Sequence, residues 1–187
     1  MIGLTGVRSW GAIGLTAVAM ALLGCVSAPL WAGSTGTSSP SSDPSWRTAQ
    51  ANNIYEATFR AMFGKNNSAM SQMTDAYYIV MPVGDGMGDP TSAFLARFAK
   101  DTPVVKKGSA CSTRGVITEP GSGEPGILFF VEDITWMKND EVSVEGGYEE
   151  DVATAARVTC QLQYKHDHWK LIKETERLPR QVQRGSG

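Results

Sequence analysis

The chain has 187 residues, 42% of them hydrophobic and 19% charged, with a formal net charge of −2. That length suits one domain, and so large an apolar share excludes a wholly disordered chain. The near-neutral balance excludes a protein that coats nucleic acid, because phosphate binding needs a surplus of Lys and Arg.

Up to Gly24 the only charged residue is Arg8, and the run from Trp10 to Leu23 has none. The run falls short of the ~20 apolar residues that a membrane span needs. It has the proportions of a signal-peptide core. It ends Leu22-Leu23-Gly24-Cys25, which resembles a bacterial lipobox. The resemblance implies cleavage before Cys25, acylation of its thiol, and a membrane as partner. Each buried methylene contributes ~0.8 kcal/mol, and two or more chains anchor a protein stably. Val26, rather than Asp, implies by the same resemblance an outer membrane facing the periplasm, in a cell that has one. The alternative is an ordinary secretory signal, cut elsewhere, and a secreted protein. Ser27-Ala28 offers small residues for that cut, but Pro29 follows directly.

The expected organisation is a signal over 1–24, a lipidated Ser/Gly/Pro-rich tether over 25–47, one domain over 48–179 and a tail over 180–187. Gly33 to Ser45 has almost no apolar side chain to bury, so it is expected to be flexible. About 20 such residues reach ~25 Å.

Within the domain, Ile54, Tyr55, Thr58, Phe59, Met62 and Phe63 recur as pairs every four residues. That spacing predicts a helix over 49–63, ended by Gly64. Tyr77 to Val83 is apolar on both alternations and predicts a buried strand. Asp89-Pro90 predicts a second helix, capped by Asp89, through Phe98. The chain then turns to strands: Val104 to Ser112, Ile127 to Met137, Val142 to Glu149, Thr154 to Tyr164 and Trp169 to Thr175. Short breaks between alternating strands imply an antiparallel meander. In Thr154 to Tyr164 one face carries Ala156, Val158, Cys160, Leu162 and Tyr164, and the other is polar. Helices first and strands after predict an α+β class, with N-terminal helices packed on a curved antiparallel β-meander.

The last four strands, through Ile134-Thr135-Trp136, Val142-Ser143-Val144, Arg157-Val158-Thr159-Cys160 and Trp169-Lys170-Leu171, resemble the ketosteroid-isomerase-like (nuclear-transport-factor-like) superfamily. The helix-then-meander layout also resembles many small secreted bacterial domains. The superfamily resemblance implies a curved sheet wrapped round helices, with a pocket at the wide end. It supplies no acid–base pair that can be placed on this chain, and a fold alone licenses no activity.

Several groups carry possible chemistry. Glu132 and Asp133 interrupt an apolar strand, so one of them faces the core unless a bulge resets the register. A buried carboxylate there would serve as a base, with Tyr148 as hydrogen-bond donor in the same cavity. The simpler expectation is a bulge that turns both acids to water. Gly84-Asp85-Gly86-Met87-Gly88-Asp89 sits where a phosphate loop would lie, but it lacks the Lys and carries two Asp. Cation chelation by Asp85 and Asp89 is the other possibility, and a simple turn the plainest. His166 and His168 are the two histidines, one residue apart; they fall short of the four ligands of a structural zinc site, and an exposed hairpin turn accounts for them. Met62, Met70, Met73, Met81 and Met87 offer thioethers to copper(I), though Met more often fills gaps in a core. No cofactor is called for. Acids crowd Glu132 to Asp151 and bases Lys165 to Arg184, which places opposite charges on neighbouring strands. With Cys25 lipidated, Cys111 and Cys160 form an even pair in an oxidising compartment, and a disulfide is expected. Two separated thiols are the alternative.

These features point to a lipid-anchored, non-enzymatic cell-envelope protein that binds a small ligand or a protein partner. The alternatives are a small hydrolase or isomerase with a cone-shaped pocket, and periplasmic copper handling.

Overall fold

The computed structural model describes residues 43–151 and 153–177; the signal segment, Cys25, most of the tether and the tail lie outside them. Helix α1 (Pro44–Lys65) starts at Asp43, whose carboxylate accepts a hydrogen bond from Ser45 N at 2.8 Å. Pro44, in the first turn, gives up no helical bond there. The helix thus begins inside the segment expected to be tether. Local composition reads as linker, but Trp46 has a distant partner surface. Its ring meets Tyr164 at 5.2 Å, Trp136 at 5.8 Å and Trp169 at 6.1 Å. The buried stripe is Ile54, Thr58, Phe59 and Met62, and the Thr58 hydroxyl donates to the Ile54 carbonyl at 2.9 Å. Gly64 lies within the helix and Asn66, with extended backbone, ends it.

Seven strands follow: β1 (Ala76–Val83), β2 (Gly86–Gly88), β3 (Val104–Lys107), β4 (Gly126–Trp136), β5 (Glu141–Glu149), β6 (Ala155–Lys165) and β7 (His168–Arg177). Their order is β2-β1-β4-β5-β6-β7, with β3 also paired to β1. The class is α+β, and β4 to β7 form the expected antiparallel meander. The sheet as a whole is mixed, because β1 runs parallel to both β3 and β4. The chain between β1 and β4 is long enough for the crossover that parallel pairing requires. It holds helix α2 (Ser92–Leu95), continued by a 3₁₀ turn over Ala96–Phe98. The cap of α2 is Thr91, not Asp89: Thr91 Oγ1 accepts from Phe94 N at 3.2 Å. Asp89 instead accepts from the Ser109 amide (2.8 Å) and hydroxyl (2.5 Å). The strand expected over 104–112 stops at Lys107, where Gly108–Ala110 turns as a 3₁₀ helix.

Two irregularities set which side chains face α1. In β4 the pairing skips Glu132, between Val131 opposite Gly146 and Asp133 opposite Glu145. A bulge bends its strand, and Gly147 in β5 accommodates the close approach. A Cβ there would meet the Ala156 carbonyl oxygen and the Phe130 ring. In β7 the extra residue is Ile172, since Leu171 pairs with Leu162 and Lys173 with Gln161. Trp169 and Leu171 face α1 before it. After it Glu174 and Glu176 do, opposite Cys160 and Val158.

The core between α1 and the sheet gathers Ile54, Phe59, Tyr77, Phe129, Val144 and Leu162. A smaller cluster of Ala76, Tyr78 and Ile117 lies on the other face of β1. Here the expected disulfide is corrected: Cys111 and Cys160 are both free thiols. Cys160 belongs to the core under α1, whereas Cys111 packs on the smaller cluster across the sheet. The sheet itself separates the two sulfurs.

Candidate functional site

Aromatic rings fill the middle of the space between α1 and the sheet. Phe63 meets Tyr77 and Phe129, each at 4.8 Å, and Tyr77 meets Phe129 at 5.0 Å. Phe94 and Phe98 close the same space from the α2 side, both meeting Phe59 of α1. Two polar regions flank this plug, one at the C-terminal end of α1 and one along its middle turns.

At the C-terminal end of α1, the Tyr148 hydroxyl donates to Glu176 Oε1 at 2.8 Å. Burial is the main cause of a phenol pKa raised far above the ordinary tyrosine value, and the Glu176 bond adds to it. Glu174 lies beside them. Burial raises its carboxyl pKa, Lys65 pulls it back, and the charge of Glu176 pushes it up again. Asn66 Nδ2 and Glu174 Oε2 are buried without a partner, and both residues line a void of ≈ 10 Å³. That is space for about one water, which would bridge a donor and an acceptor of this kind.

Along the middle of α1, an open cleft of ≈ 390 Å³ separates the helix from the β6–β7 turn. Gln50, Asn53, Glu56 and Arg60 form one wall, and Asp167 and His168 the other. The helical residues share a face because they are spaced three and four apart. Their polar atoms are already held. Arg97 Nη1 donates to Asn53 Oδ1 at 2.9 Å and to Glu56 Oε2 at 2.8 Å. Arg60 reaches Glu56 at 3.0 Å and Asp101 at 2.7 Å. Trp169 also lines the cleft, its Nε1 donating to Gln50 Oε1 at 3.1 Å. His168 Nδ1 lies 2.6 Å from the His166 carbonyl oxygen. Charges within this wall are mutually compensated, so it offers hydrogen bonds rather than a net field.

No family model matches the chain, and no curated protein matches it. Among solved structures it is similar to an NTF-2-like protein of unknown function from Silicibacter pomeroyi. The identity is 11% and the TM-score 0.32, over 73% of this chain and 99% of that one.

The structure places the residues singled out from the sequence as follows. Glu132 and Asp133 are both exposed at the β4 bulge, Glu132 pairing with Arg157. Tyr148 is joined to Glu176, not to either of them. His168 lines the cleft, while His166 and Asp167 occupy a two-residue turn with φ of 52° and 64°. Positive φ at both positions suits the hairpin twist. Asp85 sits at the tip of the β1–β2 hairpin, beside Gly84 with φ of 60°. Met62 and Met81 are buried in the core, whereas Met73 and Met87 are exposed. Among the described residues no three His, Cys, Asp or Glu side chains are grouped to hold a metal ion. Glu174 and Glu176 escape sequence reading because the extra residue at Ile172 reverses the alternation that would assign their faces, and Lys65 and Asn66 because α1 runs on past Gly64, where the sequence ends it. The α1 wall was legible in part: Asn53, Glu56 and Arg60 follow the apolar stripe at helical spacing.

Proposed function

We propose that this domain is a non-catalytic binding module of the cell envelope, held at a membrane by lipid on Cys25, that takes a small neutral polar ligand in the cleft beside α1. The observation that supports it is the wall of Asn53, Glu56, Arg60 and Arg97, fixed by its own hydrogen bonds before any ligand arrives. Groups already ordered lose little entropy on binding, so their contacts count nearly in full. The compensated charges favour a ligand that both donates and accepts without carrying net charge.

The test is an NMR screen of neutral polar metabolites against the mature chain. Saturable shifts at residues 50–60 and 167–169, weakened by Asn53→Ala and His168→Ala, support the reading. Shifts confined to other elements sink it. For the anchor, Cys25→Ser should abolish acylation and release the protein from the membrane fraction. A variant that still carries acyl chains removes Cys25 from the account.

A second reading, a small hydrolase or isomerase, is favoured by Glu174. A carboxyl that keeps its proton to higher pH beside a tyrosine hydroxyl has the make-up of a general acid–base pair. The adjoining void of ≈ 10 Å³ leaves no room for a substrate beside it. Turnover of an ester or enolisable ketone that vanishes in Glu174→Gln would establish this reading over the first.

A further inference from the structure

A second open space shares Arg60 with the cleft just described and is otherwise lined by different residues. It is a groove of ≈ 340 Å³ between the last turns of α1 and the segment that leads into β3. Phe63 and Gly64 form one wall and Asp101 and Pro103 the other, with Tyr77 of β1 between them. Both walls are fixed before any ligand arrives. Arg60 ties them together, Nη1 donating to Asp101 Oδ2 at 2.7 Å and Nη2 to the Arg97 carbonyl at 2.9 Å. The Asp101 amide donates to the Phe98 carbonyl at 2.9 Å and the Val104 amide to the Asp75 carbonyl at 3.2 Å, which holds the segment at both ends.

Two observations point to a ligand. Tyr77 is 6% exposed, and among the described residues its hydroxyl has no hydrogen-bond partner. Unlike the Tyr78 hydroxyl, it is not sealed from water. Tyr77 lines this groove, so the accessible oxygen opens into it. Such a hydroxyl has lost much of its hydration and gained no bond in return. The second observation is Gly64. It lies inside α1, one turn on from Arg60 and on the same face, and the helix continues past it to Lys65. Glycine weakens a helix, because it loses the most backbone freedom. A Cβ at Gly64 would meet nothing within 4 Å, so packing does not demand the residue. Its effect is to leave the helix backbone bare along the groove, as close approach of a ligand requires.

The walls say what kind of ligand. Phe63, Pro103 and the bare backbone are apolar, and the charges of Arg60 and Asp101 neutralise each other. A charged ligand would lose its hydration with no free countercharge to meet it. A ring packs well against Phe63, and the Tyr77 hydroxyl, both donor and acceptor, serves one polar group. The volume falls within the ~300–1,000 Å³ of small-molecule clefts. We propose that this groove binds a small uncharged molecule with a ring-sized apolar body and one hydroxyl or carbonyl group, which meets the Tyr77 hydroxyl.

Amide spectra of the purified protein, titrated with benzyl alcohol, toluene and sodium benzoate, test the site. Benzyl alcohol should give saturable shifts at residues 60–64, 77 and 101–104. Toluene, which lacks the polar end, and benzoate, which is charged, should both bind more weakly. Tyr77→Phe should weaken benzyl alcohol by about threefold to tenfold, as loss of one hydrogen bond does, and leave toluene unchanged. Gly64→Leu should fill the groove and abolish the shifts, while the thermal midpoint holds or rises because leucine is the better helix former. Shifts here with none at residues 50–57 and 167–169 support this site whatever the cleft takes. No saturable response to benzyl alcohol overturns the proposal. So does benzoate binding as tightly, or binding that neither substitution changes. A response confined to residues 50–57 and 167–169 also overturns it and assigns the probe to the cleft.

Discussion

Replacing Trp46 with alanine tests whether residues 44–47 belong to the folded domain or to the tether. Trp46 is half-buried and packs edge-on or tilted against Trp136, Tyr164 and Trp169. Truncating a buried Trp costs ~3–5 kcal/mol, and partial exposure puts this site near the lower end. Aromatic pairs each contribute ~0.5–1.5 kcal/mol beyond their area, which is consistent with a loss of ~3 kcal/mol for three of them. In a domain of this size that loss lowers the melting midpoint by about 6–12 °C. The assay is urea and thermal unfolding of the purified protein, followed by far-UV circular dichroism because the substitution removes a fluorophore. Asp43→Ala, which removes only the cap, should lower the midpoint by less than Trp46→Ala does. A double-mutant cycle with Tyr164→Leu should return a coupling of about 0.5–1.5 kcal/mol if the two rings touch as described. If Trp46→Ala unfolds within about 0.5 kcal/mol of the parent, the size of an ordinary surface substitution, the helix does not extend to Pro44 and the residues are tether after all.

Other outcomes follow from the core-facing end of β7, the thiols and the sheet bend. Glu174 keeps its proton to higher pH when folded than when unfolded. Its neutral form therefore favours folding at low pH, and stability falls as pH rises through the folded value. Glu174→Gln should raise the urea midpoint once pH is above the folded value and flatten its fall as pH rises from the ordinary glutamate value of about 4; a lower midpoint with the slope intact would contradict the assignment. Burial, helped by Glu174 and Glu145, pushes the Cys160 thiol up to about 12, so a thiol reagent should reach it only after denaturation. Denatured, unreduced protein should show both Cys111 and Cys160 as free thiols, and a mass lower by two hydrogens before reduction would reveal a bridge. Gly147→Ala should destabilise by about 1–3 kcal/mol, since the added methyl meets backbone on one side and the Phe130 ring on the other; a neutral result would show that the sheet bends elsewhere.

Periodicity in the chain alone determined the α+β class, the α1 stripe of Ile54, Phe59 and Met62, and the alternation of β6 from Ala156 to Leu162. These patterns are local, because a helix or strand repeats its faces every few residues whatever it packs against. Pairing and register were decided only in the folded molecule. Nothing in Ala76–Val83 says that it will lie parallel to Val104–Lys107 and Gly126–Trp136, since its partners are distant in the chain. Nor does a strand announce its extra residue. Glu132 turns outward and Glu174 and Glu176 turn inward because single residues bulge at Glu132 and Ile172, and each bulge reverses the faces of all that follow. The tether boundary failed for the same reason. Pro44, Ser45 and Arg47 look like linker until Trp46 meets three rings brought from the far end of the chain. A side chain's destination depends on surfaces that exist only after distant segments have met, and that free energy is written in no window of neighbouring residues.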